Sequence, residues 1–163
     1  MKSSSIIFKP IGTIRSPFKN IEGIPIQPAA ADGVKGKVIL YKKFTEGLKN
    51  LKAFSHIILI YQFHFSKGYS LKVIPFLHNK EQGIFATRAP KRPNQIGISV
   101  VKIEKINKNI IEVSNIDVVD GTPLLDIKPF ISSFDNVKNE KSGWLKDKIK
   151  NERKIKADKR FKS

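Results

Sequence analysis

Two stretches of the chain gather residue types that can do chemistry. In Ala86-Thr87-Arg88-Ala89-Pro90-Lys91-Arg92-Pro93-Asn94-Gln95-Ile96-Gly97, two prolines stiffen a segment that presents Arg88, Lys91 and Arg92. Proline removes backbone freedom in advance, and guanidinium forks pair bidentately with phosphate or carboxylate. That is the make-up expected of an anion-gripping loop, although a basic surface connection with turn-forming prolines has the same composition. The second stretch, Ser114 to Pro129, brings Asp117, Asp120 and Asp126 close together in an otherwise basic chain. Asp120-Gly121-Thr122-Pro123 reads as a turn in which Asp120 bonds its own backbone. Asp117 is expected to end an apolar strand, and Asp126 to open an extended Ile-Lys-Pro piece. With Ile116, Val118, Leu125 and Ile127 as neighbours, both carboxylates are expected to be partly desolvated, which marks them as site candidates.

Other chemistries fall away. The chain has no cysteine, which removes disulfide scaffolds, thiolate metal sites and sulfur nucleophiles. Its 3 histidines are His56, His64 and His78. His56 and His64 share a strand face but stand roughly 26 Å apart at about 3.3 Å per residue, too far to share a metal. No HExxH is present, so no metal is expected. Neither a GxGxxG fingerprint nor a Walker loop occurs, so a nucleotide site here would be unconventional.

The 163 residues, 40% hydrophobic, suit one compact domain. Lys and Arg number 31 against 14 Asp and Glu, a net charge of +17 that points to a polyanionic partner. Lys141 to Ser163 is the most basic segment, read either as a solvated terminus or as an RNA-contacting arm. Within it, Trp144, Leu145 and Ile149 fit a short docked helix. No apolar run approaches the roughly 18 residues of a membrane span, and Met1 to Ser5 lack the apolar core of a signal peptide, so a cytoplasmic protein is expected.

The elements that must position these residues are mostly strands. Segments 6–15, 36–41, 55–65, 71–76, 83–88, 97–106 and 109–119 are rich in β-branched and aromatic residues. Thr45 is placed to cap a turn or two of helix up to Ala53. The Asn107-Lys108-Asn109 joint reads as a hairpin, because asparagine tolerates turn conformations. Segment 55–65 is apolar on both faces, as for a central strand or one that meets another subunit. Many short strands with close turns predict a mainly β protein, a barrel or sandwich, with a basic C-terminal tail.

Five motifs in order then carry a resemblance: Ile11-Gly12-Thr13-Ile14-Arg15-Ser16-Pro17-Phe18, Pro25-Ile26-Gln27-Pro28, Phe54-Ser55-His56 leading to Phe63-His64, the Ala86 to Gly97 loop, and Asp117 to Pro129. Together they resemble the TsaA-like (TrmO) family over about residues 8–145. The resemblance implies a small, mostly antiparallel β-barrel, residues 1–145, followed by the tail, 146–163. It implies a homodimer with S-adenosyl-L-methionine near the subunit interface, and methylation of the N6 nitrogen of N6-threonylcarbamoyladenosine at position 37, beside the anticodon of tRNA. Carried over by position, the donor would lie against Gln27, Pro28, Ala29, Phe63, His64, Arg88, Ile98, Asn115, Ile116 and Asp117. Ala29 departs from the family, where glycine is common.

The residue types agree with that chemistry. An aromatic ring suits a sulfonium cation, and Gln27 and Asn115 can pair with adenine edges. The acceptor nitrogen is a poor nucleophile until its proton leaves, so Asp117 or Asp126 is a candidate base, with His64 as a further one. RNA contact is expected from Arg88, Lys91, Arg92, Lys128 and the tail. Two alternatives stay open: a non-enzymatic RNA-binding barrel, with no affinity for a sulfonium, and the same cofactor-binding fold with another RNA or small-molecule acceptor.

Overall fold

The computed structural model describes residues 5–26, 30–146 and 156–158. Six strands close into an antiparallel barrel: β1 (Gly12–Arg15), β2 (Lys35–Leu40), β3 (His56–Gln62), β6 (Ile96–Asn107), β7 (Ile110–Ser114) and β8 (Thr122–Pro129), in the order β1-β2-β7-β6-β3-β8. Two short strands, β4 (Lys72–Val73) and β5 (Gln82–Gly83), pair separately as a flap between β3 and β6. The pattern leaves barrel or sandwich open; the structure is the mainly β, mostly antiparallel barrel with short helices that the family resemblance implies. Among the described residues no helix is long and apolar enough to cross a membrane.

The barrel follows from period-two patterning. Ile57, Leu59 and Tyr61 of β3 point inward, as do Val101 of β6, Ile111 and Val113 of β7, Leu124 of β8, Ile14 of β1, and Val38 and Leu40 of β2. Each fully buried Ile or Leu contributes about 1.5–3 kcal/mol. Closure removes free edges, which otherwise template aggregation. Segment 55–65 is the central strand the sequence suggests: β3 lies between β6 and β8, with Ile58 and Ile60 half-buried on its outer face.

Four local expectations need correction. β8 is a full strand of the barrel, paired with both β1 and β3, and not merely an extended Ile-Lys-Pro piece. A register shift against β3 between Ile60 and Tyr61 breaks the alternation that would have announced it. The strand expected to end at Asp117 stops at Ser114, because Asn115 takes a left-handed φ of 65° that turns the chain out of the ladder. In the hairpin between β6 and β7 the left-handed residue is Lys108, φ 52°, whereas Asn109 uses its amide to donate to Leu40 O at 2.6 Å. The helical region is two 3-10 segments, Lys42–Leu48 and Leu51–Ala53, and Thr45 lies inside the first, donating to Lys42 O at 2.7 Å instead of capping it.

Asp120 also behaves differently from a self-bonded turn residue. Its carboxylate accepts from Ser16 N–H at 3.0 Å and from Lys19 Nζ at 2.6 Å, tying β1 to the segment that enters β8. The Lys19 hydrogen bond leads the interactions that hold its pKa below the ordinary value. Gly121 beside it has φ +80°, a conformation that strains any residue with a Cβ.

Candidate active site

At one end of the barrel, the segments leaving β3 and entering β6 meet the Asp117–Thr122 segment around a cavity of about 420 Å3. That lies within the roughly 300–1,000 Å3 of small-molecule sites. Its wall brings together Phe63, His64, Arg88, Arg92, Ile98 and Asp117, drawn from four separate stretches of sequence. Ile24, Pro25 and Ile26 complete one side. Residues 156–158 return to that side: Gly23 N–H donates to Ala157 O at 2.8 Å and Ala157 N–H to Ile24 O at 2.7 Å, so Ala157 also lines the cavity.

Asp117 sits at the end of a directed chain of hydrogen bonds. Ser99 Oγ donates to its Oδ1 at 2.6 Å, and Tyr61 Oη lies 3.0 Å from Ser99 Oγ. Serine has one hydroxyl proton, already given to the carboxylate, so Tyr61 must donate to Ser99. Burial pushes the Asp117 carboxyl up to about 6; the Ser99 hydrogen bond and the Arg88 charge oppose the rise. Burial, reinforced by the Asp117 charge, raises the Tyr61 phenol, which therefore keeps its proton.

His64 has a defined tautomer. Thr122 Oγ1 donates to Val119 O at 2.8 Å and so can only accept from His64 Nδ1, 3.2 Å away. The Nδ1–H form leaves Nε2 as an acceptor, and burial lowers the ring's pKa from the ordinary histidine value of 6.5, against a backbone hydrogen bond with Gln62 that raises it. The rings of His64 and Phe65 are 4.2 Å apart and tilted by 36°, while Phe63 meets Tyr61 edge-on at 5.5 Å.

Close approach by glycine makes this packing possible. Gly97 pairs with Tyr61 across β6 and β3. A Cβ there would strike Tyr61 Cε2 and lie 2.6 Å from Tyr61 Cζ and 2.8 Å from Phe63 Cζ. The cationic loop is braced by its own carbonyls, since Arg92 donates to Thr87 O at 3.2 Å and to Ala89 O at 3.4 Å.

Other sequence candidates do not line the cavity. Asn115 Oδ1 accepts from Gly33 N–H at 2.9 Å, and Ile116 is buried in the barrel core. Asp126 lies on β8 opposite Ile60; its Oδ1 accepts from Ile127 N–H at 2.8 Å and its Oδ2 meets Lys128 Nζ at 3.0 Å. Lys91 and Lys128 are outside the wall, and Gln27, Pro28 and Ala29 lie outside the described residues, directly after Ile26. The sequence reading missed Tyr61, Gly97, Ser99 and Thr122 as site residues. Ser99 carried a signal: it is a lone hydroxyl on the inward-facing repeat Gly97, Ser99, Val101 of an apolar strand.

A closed antiparallel barrel with a carboxylate, two arginines and aromatic rings around one end cavity defines a small-molecule-binding β-barrel, distinct from dinucleotide folds that hold ligands on a glycine-rich turn. Within that class, residues 13–136 match the family described as the tRNA-methyltransferase O N-terminal domain, and the chain belongs to it. A probable S-adenosyl-L-methionine-binding protein of Pyrococcus abyssi is 48% identical over 96% of this chain and 85% of its own length. The human tRNA (adenine(37)-N6)-methyltransferase is 33% identical over 85% of this chain but 33% of its own length. The crystal structure of TrmO from Pseudomonas aeruginosa superposes with a TM-score of 0.73 at 37% identity, covering 86% of this chain and 63% of that one.

Proposed function

We propose that this protein methylates the N6 nitrogen of N6-threonylcarbamoyladenosine at position 37 of tRNA, with Asp117 as proton acceptor. It is an S-adenosyl-L-methionine-dependent tRNA methyltransferase of the TrmO family. Position 37 and the N6 atom are named for its mammalian relatives, which supports the assignment of the acceptor. The observation that carries the reading is Asp117, a carboxylate with its pKa raised to about 6, in an aromatic-walled cavity that also holds Arg88 and Arg92.

The donor set fits the cofactor. Rings of Phe63 and Phe65 and the Asp117 carboxylate suit a sulfonium, and the guanidiniums of Arg88 and Arg92 suit the methionyl carboxylate. Gln27, Pro28 and Ala29, which the family resemblance assigns to the donor, directly follow the cavity-lining Ile26 in the sequence. When bound, S-adenosyl-L-methionine supplies an electrophilic methyl group. The chain's own part is to align and deprotonate. An exocyclic nitrogen conjugated to both purine and carbamoyl gains nucleophilicity as its N–H proton passes to Asp117. A carboxylate with a pKa near 6 is mostly ionised at neutral pH yet more basic than an ordinary aspartate. Ser99 and Tyr61 hold that carboxylate in one orientation. Asp126, engaged with Ile127 and Lys128, is the weaker candidate, and His64 is assigned to accepting a hydrogen bond at Nε2.

Arg88, Lys91, Arg92 and Lys128 supply phosphate attraction, and a loop base needs no duplex opening to reach the cavity. A homodimer with the donor near the interface is supported by Ile96 and Ile98, which are 38% and 50% exposed although both line the cavity. As an enzyme of tRNA it would work in the cytoplasm. The test is incubation with the donor and tRNA carrying N6-threonylcarbamoyladenosine, read by nucleoside mass spectrometry. A methyl gain on that nucleoside is expected. Methylation of a different nucleoside would overturn the acceptor, and the absence of any thermal shift with the donor would return the protein to a purely RNA-binding barrel.

A further inference from the structure

The flap formed by β4 and β5 leaves large aromatic rings in solvent. Phe85 is 77% exposed and Tyr69 64%. The flap does not need them for its own packing, because Val73, Ile84 and Ala89 form a separate small core backed by Phe76. Main-chain hydrogen bonds hold together the segments that carry the two rings: Ile84 N–H donates to Leu71 O at 2.9 Å, and Ser70 N–H to Lys91 O at 3.2 Å. Gln95 Nε2 adds a bond to Gly68 O at 2.8 Å, so the Tyr69 turn is tied to the cationic loop. Trp144 braces the same region, donating from Nε1 to Ala86 O at 2.8 Å and meeting His78 edge-on at 5.5 Å.

This neighbourhood adjoins the cavity, whose wall includes Thr87 and Arg88, two and three residues after Phe85. Its charge is one-sided. Between residues 64 and 97 the cations are Lys67, Lys72, Lys80, Arg88, Lys91 and Arg92, and Glu81 is the lone acid. Exposed rings interleaved with cations beside the donor cavity are the combination that single-stranded nucleic acid requires, with phosphates drawn by charge and bases stacked on flat faces. A protein partner of matching acidity would satisfy the cations but would not need two exposed flat rings on the segments beside the cavity wall.

We propose that Tyr69 and Phe85 are stacking platforms for the unpaired bases that flank the target base, so that the flap selects a single-stranded RNA loop and presents one base to the cavity. The proposal rests on the reading that RNA is the substrate, and is independent of which nucleoside is methylated.

The test is equilibrium binding of an unmodified anticodon stem-loop, labelled with a fluorophore, to the full chain and to Tyr69→Ala, Phe85→Ala, the double variant, and Tyr69→Trp with Phe85→Trp. Each alanine is expected to weaken binding by about 5- to 150-fold, the tryptophan pair to restore it, and a plain duplex to be unaffected. Affinity for S-adenosylhomocysteine should stay at the wild-type value. On the wild-type protein, 4-thiouridine placed next to the target base should crosslink within residues 69–71 or 84–86. Any of four results overturns the proposal: no stem-loop binding by the wild type, unchanged binding by the double variant, an equal loss on duplex, or a crosslink confined to another part of the barrel. A fall in molar mass by light scattering on substituting the rings would instead assign the patch to a second copy of the chain, and would also overturn it. If the rings set RNA affinity while N6-threonylcarbamoyladenosine stays unmethylated, the acceptor assignment falls and the platform stands.

Discussion

Replacing Asp117 by Asn removes the charge from the cavity while keeping an oxygen that can accept from Ser99. The carboxyl has an ordinary value of 3.8 and is raised to about 6 in the folded chain, so folding favours its protonated form. A raised carboxylate contributes stability that is fully present below pH 4 and lost as pH climbs through the folded value. At 1.36 kcal/mol per unit, the cost of holding Asp117 ionised reaches about 3 kcal/mol above pH 7, with about half of it present at pH 5. Asp117→Asn should therefore be more stable than the wild type at pH 8, by up to about 10 °C in Tm if the full amount is recovered. The advantage should shrink on acidification and be about half as large at pH 5. Thermal melts of both proteins across pH 5–8 measure this directly. In the same series methyl transfer should be abolished in the variant, while in the wild type kcat/KM should rise through a pKa near 6. A stability difference that does not change with pH would refute the burial argument; normal transfer by Asp117→Asn would refute the base.

Three further outcomes follow from the geometry. Gly97→Ala would force its Cβ into the rings of Tyr61 and Phe63, so calorimetry should show donor affinity falling at least tenfold and the protein losing about 1–3 kcal/mol in urea unfolding. Thr122→Val keeps the shape but removes the acceptor of His64 Nδ1–H, so the tautomer preference should vanish in 15N spectra of the imidazole and kcat/KM should drop by an order of magnitude. Deleting residues 150–163 removes both basic charge and Ala157 from the cavity wall, so filter binding should give a flatter salt dependence for tRNA, and donor affinity should fall as well.

Much of the site was legible because its chemistry is local. Arg88 and Arg92 beside Pro90 and Pro93, and Asp117 among Ile116 and Val118, stand out by type alone, and Phe63 and His64 follow the apolar run of β3. Asp126 stood out by the same criterion and lies elsewhere, on β8, because a flanking pair of apolar residues does not say which way a bulged strand turns its carboxylate. Asn115, with its left-handed φ, closes a turn onto Gly33, a partner 82 residues away.

The amino-acid order alone located five of the six barrel strands, because the period-two placement of β-branched residues is a property of neighbours along the chain; it left out β8 and read as a strand the segment 83–88, in which Ile84–Ala86 is a 3-10 turn. It also determined the basic charge and the types of group available for chemistry. The tertiary structure decided which of those groups meet. The alignment of Gly97 with Tyr61 across two strands, the single proton of Ser99 directed at Asp117, and Thr122 fixing the His64 ring all depend on strand register and barrel closure. Those are set by the simultaneous burial of side chains from all six strands, a condition on the whole surface that no local window of sequence contains.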